Sequence, residues 1–364
     1  MNRHHIISPE IEPKTGAVVI RWDGNQFGEV PQLAGDHNDW LPEQGLPALD
    51  GSGVLEWRFN LPLDARIEYC FVDPNGRSIR DPNNPNVMHN GFGVMSELMM
   101  PNYVSHPSLK MLRAGYKGST NGCDEHRMHS SNLGYDVTFY VDRQWAGDGS
   151  NKMLIFNDGL DYIEFAHVRE VLSWLYDESL IGPVTAVFVN PPNRHLADPP
   201  NRRTEYDLNP NYAAFIAEEL VPYVEERYAT GGSAADRCII GDSYGGVCSL
   251  FVAFNHPDVI GLAYSQSGYV GLRRDSIFEI ARRVGPRVRF CFDIGTFETK
   301  VGSNMLDPEE LNFYDANLRL RKMLLDAGIP HLFNVEPQGH TWGFWRDGLL
   351  RNLPLLLSDR SFHL

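Results

Sequence analysis

The chain has 364 residues, 42% hydrophobic and 22% charged, enough for a sizeable core and for more than one average domain. A formal net charge of −15 argues against nucleic acid as a partner and against a basic, membrane-surface role. The opening Met1-Asn2-Arg3-His4-His5-Ile6-Ile7-Ser8-Pro9 has no apolar leader core, and no later stretch approaches the ~18 apolar residues of a membrane span. Cys70, Cys123, Cys238, Cys248 and Cys291 are odd in number and scattered, as reduced thiols acting as small hydrophobes would be. A cytoplasmic location is the expectation.

Residues 1–104 read as a small β-sandwich. Ala17-Val18-Val19-Ile20-Arg21-Trp22 is a strand closed by Asp23-Gly24, and Val54 to Phe59 alternates until Leu61-Pro62 breaks it. Arg66 to Val72 alternates again and stops at the turn Asp73-Pro74-Asn75-Gly76. From 105 to 132 the chain is polar and broken by Pro107, Gly115, Gly118 and Gly122, which reads as a linker. Cys123, His126 and His129 lie here, but nothing nearby completes a zinc ligand set, so no metal is expected.

From 133 to 364 the texture is that of an α/β domain. Tyr135 to Val141 alternates, whereas Met153-Leu154-Ile155-Phe156 and Val184 to Val189 are continuous apolar runs of the kind buried on both faces. Helical periodicity separates them over Phe165, Val168, Leu172 and Leu175. The stretch 190–210 is rich in Pro, Asn and Arg and reads as a long structureless loop, a length usually reserved for function. Tyr212 to Tyr228 reads as an amphipathic helix. Alternation of this kind predicts a mostly parallel, doubly covered sheet.

Next comes Cys238-Ile239-Ile240, then Gly241-Asp242-Ser243-Tyr244-Gly245-Gly246, then an apolar segment of helix length. Strand, G-x-S-x-G and helix, in that order, predict a nucleophile elbow with Ser243 on a strained turn. A serine hydroxyl needs a base and an orienting acid. Strand Val288 to Phe292 leads into Asp293-Ile294-Gly295-Thr296-Phe297-Glu298, which makes Glu298 the candidate acid and Asp293 the alternative. A helix over Glu310 to Ala327 and a strand over Leu332 to Val335 then lead to Pro337-Gln338-Gly339-His340-Thr341-Trp342, where His340 is the candidate base. His256, before Pro257, reads as a helix terminator, and His331 opens a strand. The oxyanion donors are expected to be the backbone N–H groups of Tyr244 and of Leu160, after Asp158-Gly159.

These segments resemble a known family. Asn157-Asp158-Gly159, Arg202-Arg203-Thr204-Glu205, Gly241 to Gly246, Ser265-Gln266-Ser267-Gly268, Gly295-Thr296-Phe297-Glu298 and Gly339-His340-Thr341-Trp342 are similar to the esterase group of α/β-hydrolases that includes enterochelin esterases, esterase D and feruloyl esterases. Ser96-Glu97-Leu98-Met99-Met100-Pro101 is similar to a segment of the enterochelin esterases. Leu33 to Trp40, Tyr69 to Asp73 and Asp81 to Pro85 resemble early-set immunoglobulin-like domains related to glycogen-binding modules. There Trp40 matches one of two stacking aromatics, but Ser78 replaces the other and Cys70 a lysine, so a structural or substrate-shaping role is expected over glycan binding.

The resemblance implies an α/β-hydrolase fold and catalysis by Ser243, Glu298 and His340 on a small-molecule ester without a cofactor. Arg202, Arg203 and Glu205 become candidate substrate-binding residues; with Arg194 and His195 the arginines form either a cationic rim for an anionic siderophore-type ester or ordinary solvated charges. Feruloyl or acetyl esters of carbohydrates are the alternative substrates. The intact Ser/Glu/His order speaks against a non-catalytic binding protein.

Overall fold

Buried alternation builds the N-terminal sheets. The computed structural model describes residues 7–24, 30–48, 52–91, 93–104, 118–149, 151–193, 198–228, 230–302 and 310–358. The chain divides into two units: Met1–Lys117 with Gly295–Leu306 and Glu336–Phe344, and Gly118–Ile294 with Asp307–Val335 and Trp345–Leu364.

In the first unit, strands Glu10–Ile11, Ala17–Asp23, Val54–Asn60 and Leu46–Pro47 form one antiparallel sheet in that order. A second sheet runs Glu43–Gln44, Gln32–Gly35, Arg66–Val72, Gly93–Met99 and Val87–Asn90, with Ser78–Ile79 also paired to Arg66–Val72. Ala17–Asp23 buries every second side chain, so Val18, Ile20 and Trp22 point inward. They meet Leu33, Ile67, Tyr69, Phe71 and Leu98 of the other sheet in one core, and the result is the β-sandwich expected. Phe297, from the 295–306 segment, packs on the same core.

The second unit is an eight-stranded sheet in the order Asp124–Ser130, Tyr135–Asp142, Val184–Val189, Lys152–Phe156, Arg237–Asp242, Leu262–Gln266, Arg289–Gly295 and Leu332–Glu336. The first two pairings are antiparallel; from Val184–Val189 through Arg289–Gly295 the pairing is parallel. The central strands Val184–Val189, Arg237–Asp242 and Leu262–Gln266 are buried at every position, which explains their unbroken apolar character. Among the described residues, no helix is long and apolar enough to cross a membrane.

Three expectations need correcting. Residues 124–130, expected within a linker, are the edge strand of the large sheet, and the second unit begins at Gly118. Asp124-Glu125-His126-Arg127-Met128-His129-Ser130 is polar because an edge strand with a solvated face needs little apolar surface. The stretch 190–210 is not wholly a loop: Arg202–Tyr206 is a short helix, its N-terminus capped by the Asn201 side chain on Thr204 N–H at 2.9 Å. Finally, the segments carrying Glu298 and His340 group with the first unit rather than with the rest of 133–364.

Candidate active site

Ser243 ends the strand Arg237–Asp242 and precedes the helix Tyr244–Asn255, with φ 55° and ψ −118°. That conformation costs of the order of 1–3 kcal/mol for a residue with a Cβ, and the surroundings over-determine it. Ser243 N–H donates to Gln266 C=O at 2.9 Å, and Ser243 C=O accepts from Tyr269 N–H at 3.0 Å. Gly241 is a steric necessity, since a Cβ there would lie 2.3 Å from Gly245 C=O; at Gly245 a Cβ would be tight, 3.0 Å from an Asp158 carboxylate oxygen. Tyr244 is the first helical residue, so its N–H lacks an acceptor within the helix.

Asp158, Gly159 and Leu160 form a second turn, at the end of strand Lys152–Phe156. Asp158 is left-handed at φ 55°, and a Cβ on Gly159 would fall 2.4 Å from the Phe188 backbone. Asn157 anchors it to the elbow, donating to Ser249 Oγ at 2.9 Å and accepting from Tyr212 O–H at 2.7 Å. Leu160, 39% exposed, donates its N–H to Asn190 Oδ1 at 3.1 Å. An oxyanion reaching that N–H therefore displaces the Asn190 amide. Asn190 lies just past the end of strand Val184–Val189, and nothing in the sequence around it marks this contact.

The candidate substrate-binding residues divide. Arg202 grips Asp158 with two parallel bonds, Nε to Oδ1 at 2.7 Å and Nη2 to Oδ2 at 2.6 Å, and lies 3.6 Å from the Asp242 carboxylate. Its charge is spent inside the protein, clamping the turn of Leu160 to the residue before Ser243. Neither an open rim cation nor a solvated loop charge describes Arg202 in this ion pair. Glu205 is buried, which pushes its carboxyl up, against the Tyr135 hydroxyl that stabilises the charged form. Arg203 is exposed. Arg194 and His195 lie outside the described residues.

In the first unit, His340 Nδ1 and Glu298 Oε2 are 2.7 Å apart, and Glu298 is fully buried. The other carboxyl oxygen accepts Gly295 N–H at 2.8 Å, which fixes the side chain. A carboxylate only accepts, so Nδ1 carries the proton in this pair. Asp293, the alternative acid, is committed elsewhere. It accepts from Tyr264 O–H, from Ser267 N–H at 3.3 Å and from Asn352 Nδ2 at 3.4 Å. His126, on the edge strand, bonds Tyr223 and Tyr228 hydroxyls, and among the described residues no group of three metal-ligating side chains occurs.

Residues 130–356 match the family model described as "Putative esterase", which covers more than half of the chain. An uncharacterised Bacillus subtilis protein, YjcH, is 26% identical over 230 residues, 61% of this chain and 92% of that protein. Iron(III) enterobactin esterase of Escherichia coli K12 is 22% identical over 257 residues, 64% of this chain, and the match spans 62% of that protein. The enterobactin esterase FES of Shigella flexneri, crystallised in the presence of enterobactin, matches with a TM-score of 0.73 at 21% identity over 96% of this chain and 95% of that one. A ferulic acid esterase matches with a TM-score of 0.54 at 20% identity, over 65% of this chain and 97% of that one. These likenesses establish the α/β-hydrolase fold with an N-terminal β-rich domain. Taken with the family model, they place the chain in the "Putative esterase" family of α/β-hydrolases, as an esterase.

Proposed function

We propose that the protein is a cytoplasmic serine carboxylic-ester hydrolase that works through an acyl-enzyme, with Ser243 as nucleophile, His340 as general base and Glu298 as the orienting acid. His340 Nε2 takes the Ser243 proton as Oγ attacks the ester carbonyl. Glu298 holds the imidazole in the required tautomer and stabilises its charged form. The tetrahedral oxyanion is met by the N–H groups of Tyr244 and Leu160, each worth about 3 kcal/mol of transition-state stabilisation. His340 then protonates the leaving alcohol. A water activated by the same imidazole attacks the acyl-enzyme, releases the acid and restores Ser243. No cofactor takes part.

The observation that carries this reading is the 2.7 Å His340–Glu298 pair, because a buried carboxylate on Nδ1 is what a general-base histidine requires. For the substrate we favour a siderophore-type lactone ester. The likeness to enterobactin esterase runs over 96% of this chain, its N-terminal sandwich included, whereas the ferulic acid esterase matches only 65%. Carbohydrate esters are the second reading, favoured by that same catalytic-domain likeness. Against it, Ser78 stands where a second stacking aromatic would be needed beside Trp40.

Hydrolysis of a short-chain nitrophenyl ester should fall at least about a thousand-fold in Ser243→Ala. Equal rates in variant and wild type would sink the mechanism. A panel of siderophore lactones against feruloylated and acetylated sugars then decides the substrate by kcat/KM.

A further inference from the structure

The first unit holds a buried charged cluster that the proposed mechanism does not use. Asp36 is 3% exposed and Arg66 is fully buried. Asp36 opens a short turn after strand Gln32–Gly35; its Oδ2 accepts Glu68 N–H at 2.8 Å and its Oδ1 accepts Trp40 Nε1–H at 2.9 Å. The Arg66 guanidinium is held by Glu97 through Nε at 2.7 Å and by Glu68 through Nη2 at 2.9 Å.

Both residues press on the segment that carries His340. A Cβ built on Gly339 would lie 2.1 Å from Asp36 Oδ1, so the carboxylate rests directly on the residue before His340. The Arg66 backbone N–H donates to Pro337 C=O at 3.2 Å, and its side-chain Nη1 reaches Thr341 Oγ1 at 3.5 Å. A Cβ on Gly343 would lie 1.9 Å from Arg66 Nη2. Residues 337, 339, 341 and 343 are thus each met by a sandwich residue, and His340 between them turns to Glu298. Two glycines leave room for the two charged groups.

We infer that Asp36 and Arg66, side chains of the β-sandwich, are positioning residues that set His340 for base work by holding the 337–343 segment. The inference rests on His340 being the base. One guanidinium among three buried carboxylates is an expensive way to fill space, since apolar residues of similar volume often stabilise such sites equally or better. What the charges supply here is fixed geometry, and a misplacement of about 1 Å at a base costs roughly a hundredfold in rate.

The test is a double-mutant cycle on the full chain with Asp36→Ala, Gly339→Ala and the pair, reading kcat, KM and the melting temperature on a nitrophenyl ester. Each single variant is expected to lose about ten- to a hundredfold in kcat with KM within about twofold. In the pair, the Gly339 methyl occupies the space the carboxylate left, so its kcat should exceed the product of the single losses by about tenfold. Gly339→Ala leaves the charges untouched and keeps the test alive where Asp36→Ala does not fold. Wild-type kcat in either folded single variant, or losses that simply multiply, overturns the inference. His340→Ala, run alongside, separates the two readings: wild-type kcat there overturns the base assignment itself.

Discussion

Glu298 and Asp293 follow one another at the C-terminal end of one strand, and their surroundings give them different work. Asp293 is saturated by Tyr264, Ser267 and Asn352 within the core, whereas Glu298 spends one oxygen on Gly295 N–H and offers the other to His340. Glu298→Gln is therefore expected to lower kcat by roughly a hundred- to ten-thousand-fold, because the amide no longer selects the working tautomer. Asp293→Asn should leave kcat within about fivefold but destabilise the fold by about 1–3 kcal/mol, since the amide meets a backbone donor. Nitrophenyl-ester kinetics and denaturant melts on both variants check this, and the reverse pattern would reassign the acid. Ser243, His340 and Glu298 stand out in the sequence because each follows a strand and is flagged by a nearby glycine. Asn190 does not, because a lone asparagine before two prolines carries no signal of the N–H it accepts.

Arg202 belongs to the scale of elements, because it ties two turns together. The strands Lys152–Phe156 and Arg237–Asp242 are neighbours in the sheet, and Arg202 spans the acidic residues at their ends, Asp158 and Asp242. Removing it takes the guanidinium away from two buried carboxylates, and breaking a buried ion pair from one side costs about 3–5 kcal/mol. Arg202→Ala is expected to melt well below the wild type and to lose kcat, whereas Arg203→Ala, an exposed cation, should keep both its melting temperature and its kcat. Melting curves and steady-state kinetics on the two variants check this; a change confined to KM in Arg202→Ala would return it to the substrate. The sequence shows two adjacent arginines and cannot show which is buried. The same blindness placed Asp124–Ser130 in a linker, since edge strands hide their period behind charge, while the buried central strands declare themselves as apolar runs.

At the scale of the whole molecule, the β-sandwich and the α/β sheet were legible from period and order, but the grouping of 295–306 and 336–344 with the sandwich was not. That grouping depends on contacts between residues hundreds apart, such as Arg66 with Thr341, which no local pattern encodes. It also predicts a pH dependence. Burial, with Glu68 beside it, pushes Asp36 up from 3.8 to about 7, while the Glu68 backbone N–H, the Trp40 indole N–H and, last, Arg66 pull the other way. A carboxyl raised on folding stabilises the protein when protonated, and that contribution is lost as pH rises through about 7. The stability advantage of wild type over Asp36→Ala should therefore shrink between about pH 5 and pH 8; an advantage that grows with pH would contradict it. Intact-mass measurement and peptide mapping after treatment with a fluorophosphonate decide whether Ser243 is a nucleophile activated by His340. One covalent adduct on Ser243, absent from Ser243→Ala and formed far more slowly in His340→Ala, is the predicted result. An adduct on another residue, or one that forms at the wild-type rate without His340, would contradict it.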